Sequence, residues 1–150
     1  MMLSTLACGP NEPNRLETLP TDTVRINNHA FKVWVADESE EQTRGLMKVT
    51  AEQMAPLEDG TERGMWFLFS SDRSTGFWMR NTIIPLDIAF IRSDGVIVTT
   101  HTMIPLDESL YRPTEPYRYA LEVNANVFAR DGIKKGDRVE IPEALLNRGQ

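Results

Sequence analysis

The chain has 150 residues, 41% of them hydrophobic and 25% charged, which is enough apolar material for one domain-sized core and too much for whole-chain disorder. Its 22 acids outnumber 16 lysines and arginines, leaving a net charge of −6 that disfavours a nucleic-acid partner. A single cysteine excludes an internal disulfide, no Cys/His spacing forms a zinc site, and no apolar run approaches the ~20 residues of a membrane-spanning helix.

Residues 1–21 read as a tail and linker. Leu3 to Pro10 is small and apolar, and residues 11–20 carry two more prolines among polar residues. Leu6-Ala7-Cys8-Gly9 resembles the end of a bacterial lipoprotein signal, where cleavage exposes a cysteine for lipid attachment. Thr5 stands three before Cys8, where such signals carry leucine, and neither a basic segment nor a full apolar stretch precedes it. Two readings follow. Either Cys8 tethers an exported protein to a membrane in the bacterial envelope, or it is an incidental cysteine and the protein is cytoplasmic.

A single β domain is expected over 22–142. Val24 and Ile26, then Phe31, Val33 and Val35, alternate with polar residues and Trp34 around Asn27-Asn28, which predicts a hairpin. Ser39-Glu40-Glu41-Gln42 is a capping box that starts a helix running to about Arg44, stopped by Gly45. Thr50-Ala51-Glu52-Gln53 is a second box, limited to about one turn by Pro56. Gly64 opens the strand Met65 to Phe69, and Ser70 to Thr75 reads as a turn before a strand at Phe77 to Met79.

Leu86 to Ile91 and Val96 to Met103 flank the turn signal Ser93-Asp94-Gly95. Leu106 to Pro116 is a loop and Tyr117 to Val123 a strand. Asn124 starts a short helix to Asp131, ended by Gly132, and Arg138 to Ile141 is a last strand. Residues 143–150 read as a loose tail. The fold class is therefore mostly β: a jelly-roll-like or barrel-like sandwich of about seven to eight strands with two or three short helices.

Candidate chemistry concentrates between Phe77 and Phe90. Arg80, Asn81 and Thr82 offer donors and acceptors at a strand end, although satisfying the backbone of an irregular crossover is the commoner use of such residues. Asp87 lies among apolar neighbours on a strand, on the face of Ala89 and Ile91. Glu122 repeats the pattern beside Ala120. Arg44 and Arg80 are candidate counter-charges. His29 and His101 lack companions at ligand spacing, the seven methionines are scattered, and Trp34, Trp66 and Trp78 read by default as core. No metal site, cofactor or catalytic residue is assigned, and there is no Gly-x-Ser-x-Gly elbow.

Arg44-Gly45-Leu46-Met47, Gly64-Met65, Phe77-Trp78-Met79-Arg80-Asn81-Thr82, Ile84-Pro85-Leu86-Asp87 and Gly132-Ile133-Lys134 with Gly136-Asp137 resemble the bacterial and archaeal family known as domain of unknown function 192. The resemblance spans roughly Val24 to Ile141. It implies a small, mostly-β, jelly-roll-like or barrel-like domain, frequently exported, without an established activity. Arg44, Gly45, Met47, Trp78, Met79, Asn81, Thr82, Pro85, Asp87 and Glu122 carry over by motif. A cysteine pair that many members hold in the loop before the strand at Tyr119 is missing here.

Three functions follow in order. The first is a non-catalytic domain binding a small ligand, glycan or peptide in a polar groove, with Trp78, Asn81, Asp87 and Glu122 lining it, Arg44 or Arg80 at its edge and Thr82 beside it. The second is a hydrolase with Asp87 and Glu122 as a carboxylate pair. The third is a structural or partner-docking module with an internal ion pair.

Overall fold

The computed structural model describes residues 13–148. Seven strands form one curled sheet: β1 (Thr21–Ile26), β2 (His29–Ala36), β3 (Glu62–Arg73), β4 (Leu86–Ile91), β5 (Ile97–Met103), β6 (Tyr117–Asn124) and β7 (Val139–Glu140). Their spatial order is β5-β4-β6-β3-β2-β1-β7. Three short helices accompany them: α1 (Ser39–Arg44), α2 (Val127–Asp131) and α3 (Glu143–Arg148). The architecture is thus mostly β and barrel-like.

The first hairpin closes on Asn27 and Asn28, both in the left-handed region that asparagine tolerates, as a two-residue hairpin turn demands. α1 begins one residue earlier than its sequence box implies, because the Glu38 N–H donates to Glu41 Oε2 at 3.2 Å. The second box forms its bonds, Thr50 N–H to Gln53 Oε1 and Gln53 N–H to Thr50 Oγ1, but within a turn and not a helix. β3 pairs parallel to β2 and antiparallel to β6, so it is central and apolar on both faces. It runs on through Ser70 to Arg73, which the sequence places in a turn. Phe77 to Met79 is not a strand. Phe77 makes one antiparallel bridge, to Tyr111.

The sheet divides the interior in two. One core, with Val24, Phe31, Trp66, Ala89, Ile97, Leu121 and Val139, draws on all seven strands. The edge strands meet around it: Val139 N–H donates to the Gly95 carbonyl at 2.8 Å and Ile97 N–H to the Asp137 carbonyl at 2.9 Å. The other core, with Trp34, Leu46, Met65, Phe67, Ile88, Phe90 and Tyr117, lies on the outer face under α1 and the long connections.

Two boundaries differ from the sequence reading. Before β1, Leu16 is buried in the outer core, and Asn14 Nδ2 donates to the carbonyls of Gly45 and Met47 at 2.8 and 3.0 Å. The segment from residue 13 therefore packs, where a linker was expected. After β7, α3 replaces the loose tail, with Leu145 buried in the enclosed core and Arg148 Nε 2.7 Å from Asp37 Oδ2. A single leucine in each segment supplies the anchor, too little for periodicity to register.

Candidate functional site

Strand register decides what the two acids do. In the β4–β6 ladder Ile88 faces Glu122 and Asp87 faces Val123. Opposed residues share a face, so Asp87 and Glu122 leave the sheet on opposite sides. Asp87 joins the enclosed core with Ala89, and Glu122 the outer one with Ile88 and Ala120. This corrects the expectation of a shared groove and rules out the carboxylate pair: no substrate bond lies between groups separated by a sheet.

Asp87 is buried and fully engaged. Thr102 Oγ1 donates to its Oδ1 at 2.7 Å, and the Phe128 N–H to its Oδ2 at 3.0 Å. It thereby holds the first turn of α2 against the end of the sheet, where a helix leaves N–H groups without internal partners. That is a structural role. The expected internal ion pair is not formed either. Arg44 Nη2 lies 3.3 Å from Glu40 and Arg80 Nε 3.7 Å from Glu108, both at the surface. The buried acid that does meet an arginine is Glu62, 3.1 Å from Arg130, which is itself largely exposed.

Glu122 is different. It sits mid-strand in β6, 5% exposed, flanked in the ladder by Met65 and Ile88. Among the described residues its carboxyl has neither a hydrogen-bond partner nor a counter-charge. Burial alone pushes its pKa from the ordinary 4.5 up to about 8, so it is mostly neutral at pH 7.

Glu122 lines a cavity of about 270 Å³ on the outer face of the sheet. Its aromatic walls are Phe67, Phe69, Phe77, Trp78 and Tyr117. Phe77 is central to them, with ring centroids 4.9 Å from Phe67 and 6.5 Å from Phe69. Tyr117 donates its hydroxyl to the Thr75 carbonyl at 2.8 Å, which pins the loop after β3. Gly76 lets that loop approach its neighbour: a Cβ there would lie 2.7 Å from the Tyr111 carbonyl oxygen. Residues 42–47, from α1 and the turn after it, also line the cavity, Arg44 among them, as does Arg73 at the end of β3.

The structure brings four of the sequence candidates to this cavity: Arg44, Trp78, Thr82 and Glu122. Arg80, Asn81 and Asp87 do not line it. Arg80 lies outside, its guanidinium 5.3 Å from the Trp78 ring centroid. Asn81 adopts a left-handed conformation and its carbonyl accepts the Lys48 N–H, so it serves a turn. Thr82 also serves the crossover, since its carbonyl accepts the Leu106 N–H and its hydroxyl donates to the Arg80 carbonyl. Cys8, the candidate lipidation site, lies outside the described residues.

Sequence reasoning missed Arg73, Phe69, Phe77 and Tyr117 as cavity residues. Their only signal was membership of apolar runs or of a polar turn, which says nothing about lining a void. Among the described residues no three His, Cys, Asp or Glu side chains gather in a way that could hold a metal ion.

Residues 22–141 match the family model DUF192, described as Uncharacterized ACR. No curated protein matches the chain. Crystal structures similar to it include the following two. One, from Sinorhizobium meliloti 1021, is of a candidate transcription regulator: 37% identical, TM-score 0.73, covering 81% of this chain and 94% of that one. The other is a protein of unknown function from Novosphingobium aromaticivorans DSM 12444: 36% identical, TM-score 0.75, covering 87% of this chain and 91% of that one.

Proposed function

The chain belongs to the DUF192 family, and from that premise we propose that it is a non-catalytic binding domain for a small organic ligand held in the cavity beside Glu122. One observation carries this reading. The carboxyl of the largely buried Glu122 opens on the cavity with no protein partner among the described residues, and such groups concentrate where a ligand completes them. The setting supports it: a concave site that combines five aromatic side chains with eight polar or charged ones. At about 270 Å³ the cavity suits a small molecule, so a glycan or peptide would enter with one end residue only.

The regulator description of the Sinorhizobium meliloti protein is not extended to this chain. A net charge of −6 and helices of five or six residues suit a duplex-reading role poorly. Location in the bacterial envelope through a lipid on Cys8 belongs to the same proposal and rests on Leu6-Ala7-Cys8-Gly9.

A fragment screen followed by amide NMR tests the cavity. Ligands should shift Arg44, Gly45, Thr82, Tyr117 and Glu122 together. Hits that leave these signals unmoved, or no hits from neutral, cationic and anionic fragments alike, would overturn the reading.

A further inference from the structure

The cavity holds charge of both signs at different depths. Glu122 lies within the sheet, whereas Arg44 ends α1 and Arg73 ends β3, with Arg44 partly exposed and Arg73 exposed. Neither arginine is committed to the interior. Arg44 has the exposed Glu40 one turn away, a surface pairing of little energetic weight. Arg73 meets no carboxylate among the described residues, and its guanidinium lies 4.7 Å from the Phe69 ring centroid. The lining thus offers two cations that reach the surface, one largely buried acid and five aromatic rings.

Two kinds of group could complete Glu122. A carbonyl oxygen could accept a hydrogen bond from the neutral acid, or an ammonium could pair with the carboxylate. The walls discriminate between them. Phe67, Phe69, Phe77 and Tyr117 surround the space, and a cation gains from aromatic faces as well as from the carboxylate. We propose that the cavity's ligand is a small zwitterion, with its protonated amine on Glu122 and its anionic group on Arg73 and Arg44. The inference rests on the cavity being a ligand site.

The proton balance follows. Below about pH 8 Glu122 is neutral in the empty cavity. Seating an ammonium converts it to carboxylate, and its proton leaves to the solvent. The ligand amine keeps its own proton. The groups facing Glu122 in the ladder, Met65 and Ile88, carry no charge. The other ionisable groups lining the cavity are Arg44, Arg73 and Tyr117, and burial raises the Tyr117 phenol above its usual range.

The test uses two families of probes at pH 7. 6-Aminohexanoate and 4-(aminomethyl)benzoate carry both charges. Hexylamine and benzylamine lack the acid, hexanoate and benzoate lack the amine, and benzyl alcohol carries no charge. One zwitterion should bind roughly tenfold tighter than either of its half-analogues. Glu122→Gln should lose roughly that factor for the zwitterion and nothing for the acid, and Arg73→Ala should lose it for the zwitterion and nothing for the amine. In the wild-type chain the carboxyl ¹³C titration midpoint of Glu122 should fall by about one pH unit or more on binding. That measurement needs no variant to fold. Half-analogues binding as tightly as the zwitterion, or an unmoved Glu122 midpoint, would overturn the zwitterion while leaving the cavity as a site. Silence from every probe, benzyl alcohol included, would overturn both.

Discussion

The carboxylate of Asp87 on β4 accepts the backbone N–H of Phe128 at 3.0 Å and so fastens α2 to the end of the sheet. A strand residue supplies from outside what a five-residue helix cannot supply for itself. The acid is conspicuous in the sequence for a structural reason, and its substitution should act on stability.

Asp87→Ala should destabilise the domain by roughly 1–3 kcal/mol, because it leaves the buried Phe128 N–H without its acceptor and breaks the bond from the solvent-exposed Thr102 hydroxyl. Asp87→Asn retains one acceptor and should cost about half as much. Urea unfolding at pH 7 measures both. A change below about 0.5 kcal/mol for the alanine variant would contradict the role.

Glu122 gives the folded protein a pH dependence of defined sign. Its folded pKa is about 8 against an ordinary 4.5, so across that interval the native state holds a proton that the unfolded chain has released. Its contribution therefore falls as pH rises from about 4.5, by up to roughly 1.4 kcal/mol per unit, and levels off above about 8. Glu122→Gln removes this slope. Compared by urea unfolding, the variant should match wild type at pH 4.5 and exceed it at pH 8. A wild-type advantage that grows with pH would refute the assignment.

The segment before β1 should prove part of the domain. Leu16→Ala should cost roughly 2–4 kcal/mol, since the side chain is buried in the outer core. Deleting residues 1–20 should cost at least as much, because it also removes both Asn14 bonds. Thermal unfolding of the two variants checks this. A midpoint within about 2 °C of wild type for the deletion would show that the packing contributes nothing.

Gly76→Ala should open the cavity wall. The added methyl collides with the Tyr111 carbonyl and pushes apart the two hydrogen bonds between Phe77 and Tyr111, at 2.8 and 2.9 Å. The expected loss is about 1–3 kcal/mol. Amide NMR should show changes centred on Phe77 and Tyr111, and a variant with unchanged spectra would argue that the loop has room to give.

If Cys8 is lipidated, cells making the protein from its full upstream start should incorporate labelled fatty acid into it and hold it at the membrane. Cys8→Ser should abolish both. Identical labelling and fractionation of the two proteins would end the lipid-anchor proposal.

Much of this fold was legible because strands advertise themselves locally. The alternation around Asn27-Asn28, the hairpin at Ser93-Asp94-Gly95 and the two-faced apolar run at Met65 to Phe69 all depend on neighbours in sequence. Pairing register does not. Whether Asp87 opposes Val123 or Glu122 is set by how two strands 35 residues apart slide against each other, and one residue of slip changes the face. The site failed to be read for that reason. Both acids were visible, their faces within each strand were correctly separable, and only the ladder told which faces coincide. The cavity walls were hidden in another way: Phe69, Phe77 and Tyr117 look like core in sequence because they are core on every side but one.

The joining of β5 to β7 bears on how this protein can meet other molecules. A sheet usually ends in two rows of unmet amides and carbonyls, and another extended chain can add itself there. Here part of each rim is spent on the other, through Gly95, Ile97, Asp137 and Val139. The rest of β5 is shielded by the passing loop, where the Thr114 N–H meets Thr99 Oγ1 and the Arg112 carbonyl meets the His101 ring. Recruitment of a further strand, whether from a partner or from a growing fibril, is closed along those margins. Along that seam, contact with another macromolecule falls to side chains and not to the backbone ladder beneath them.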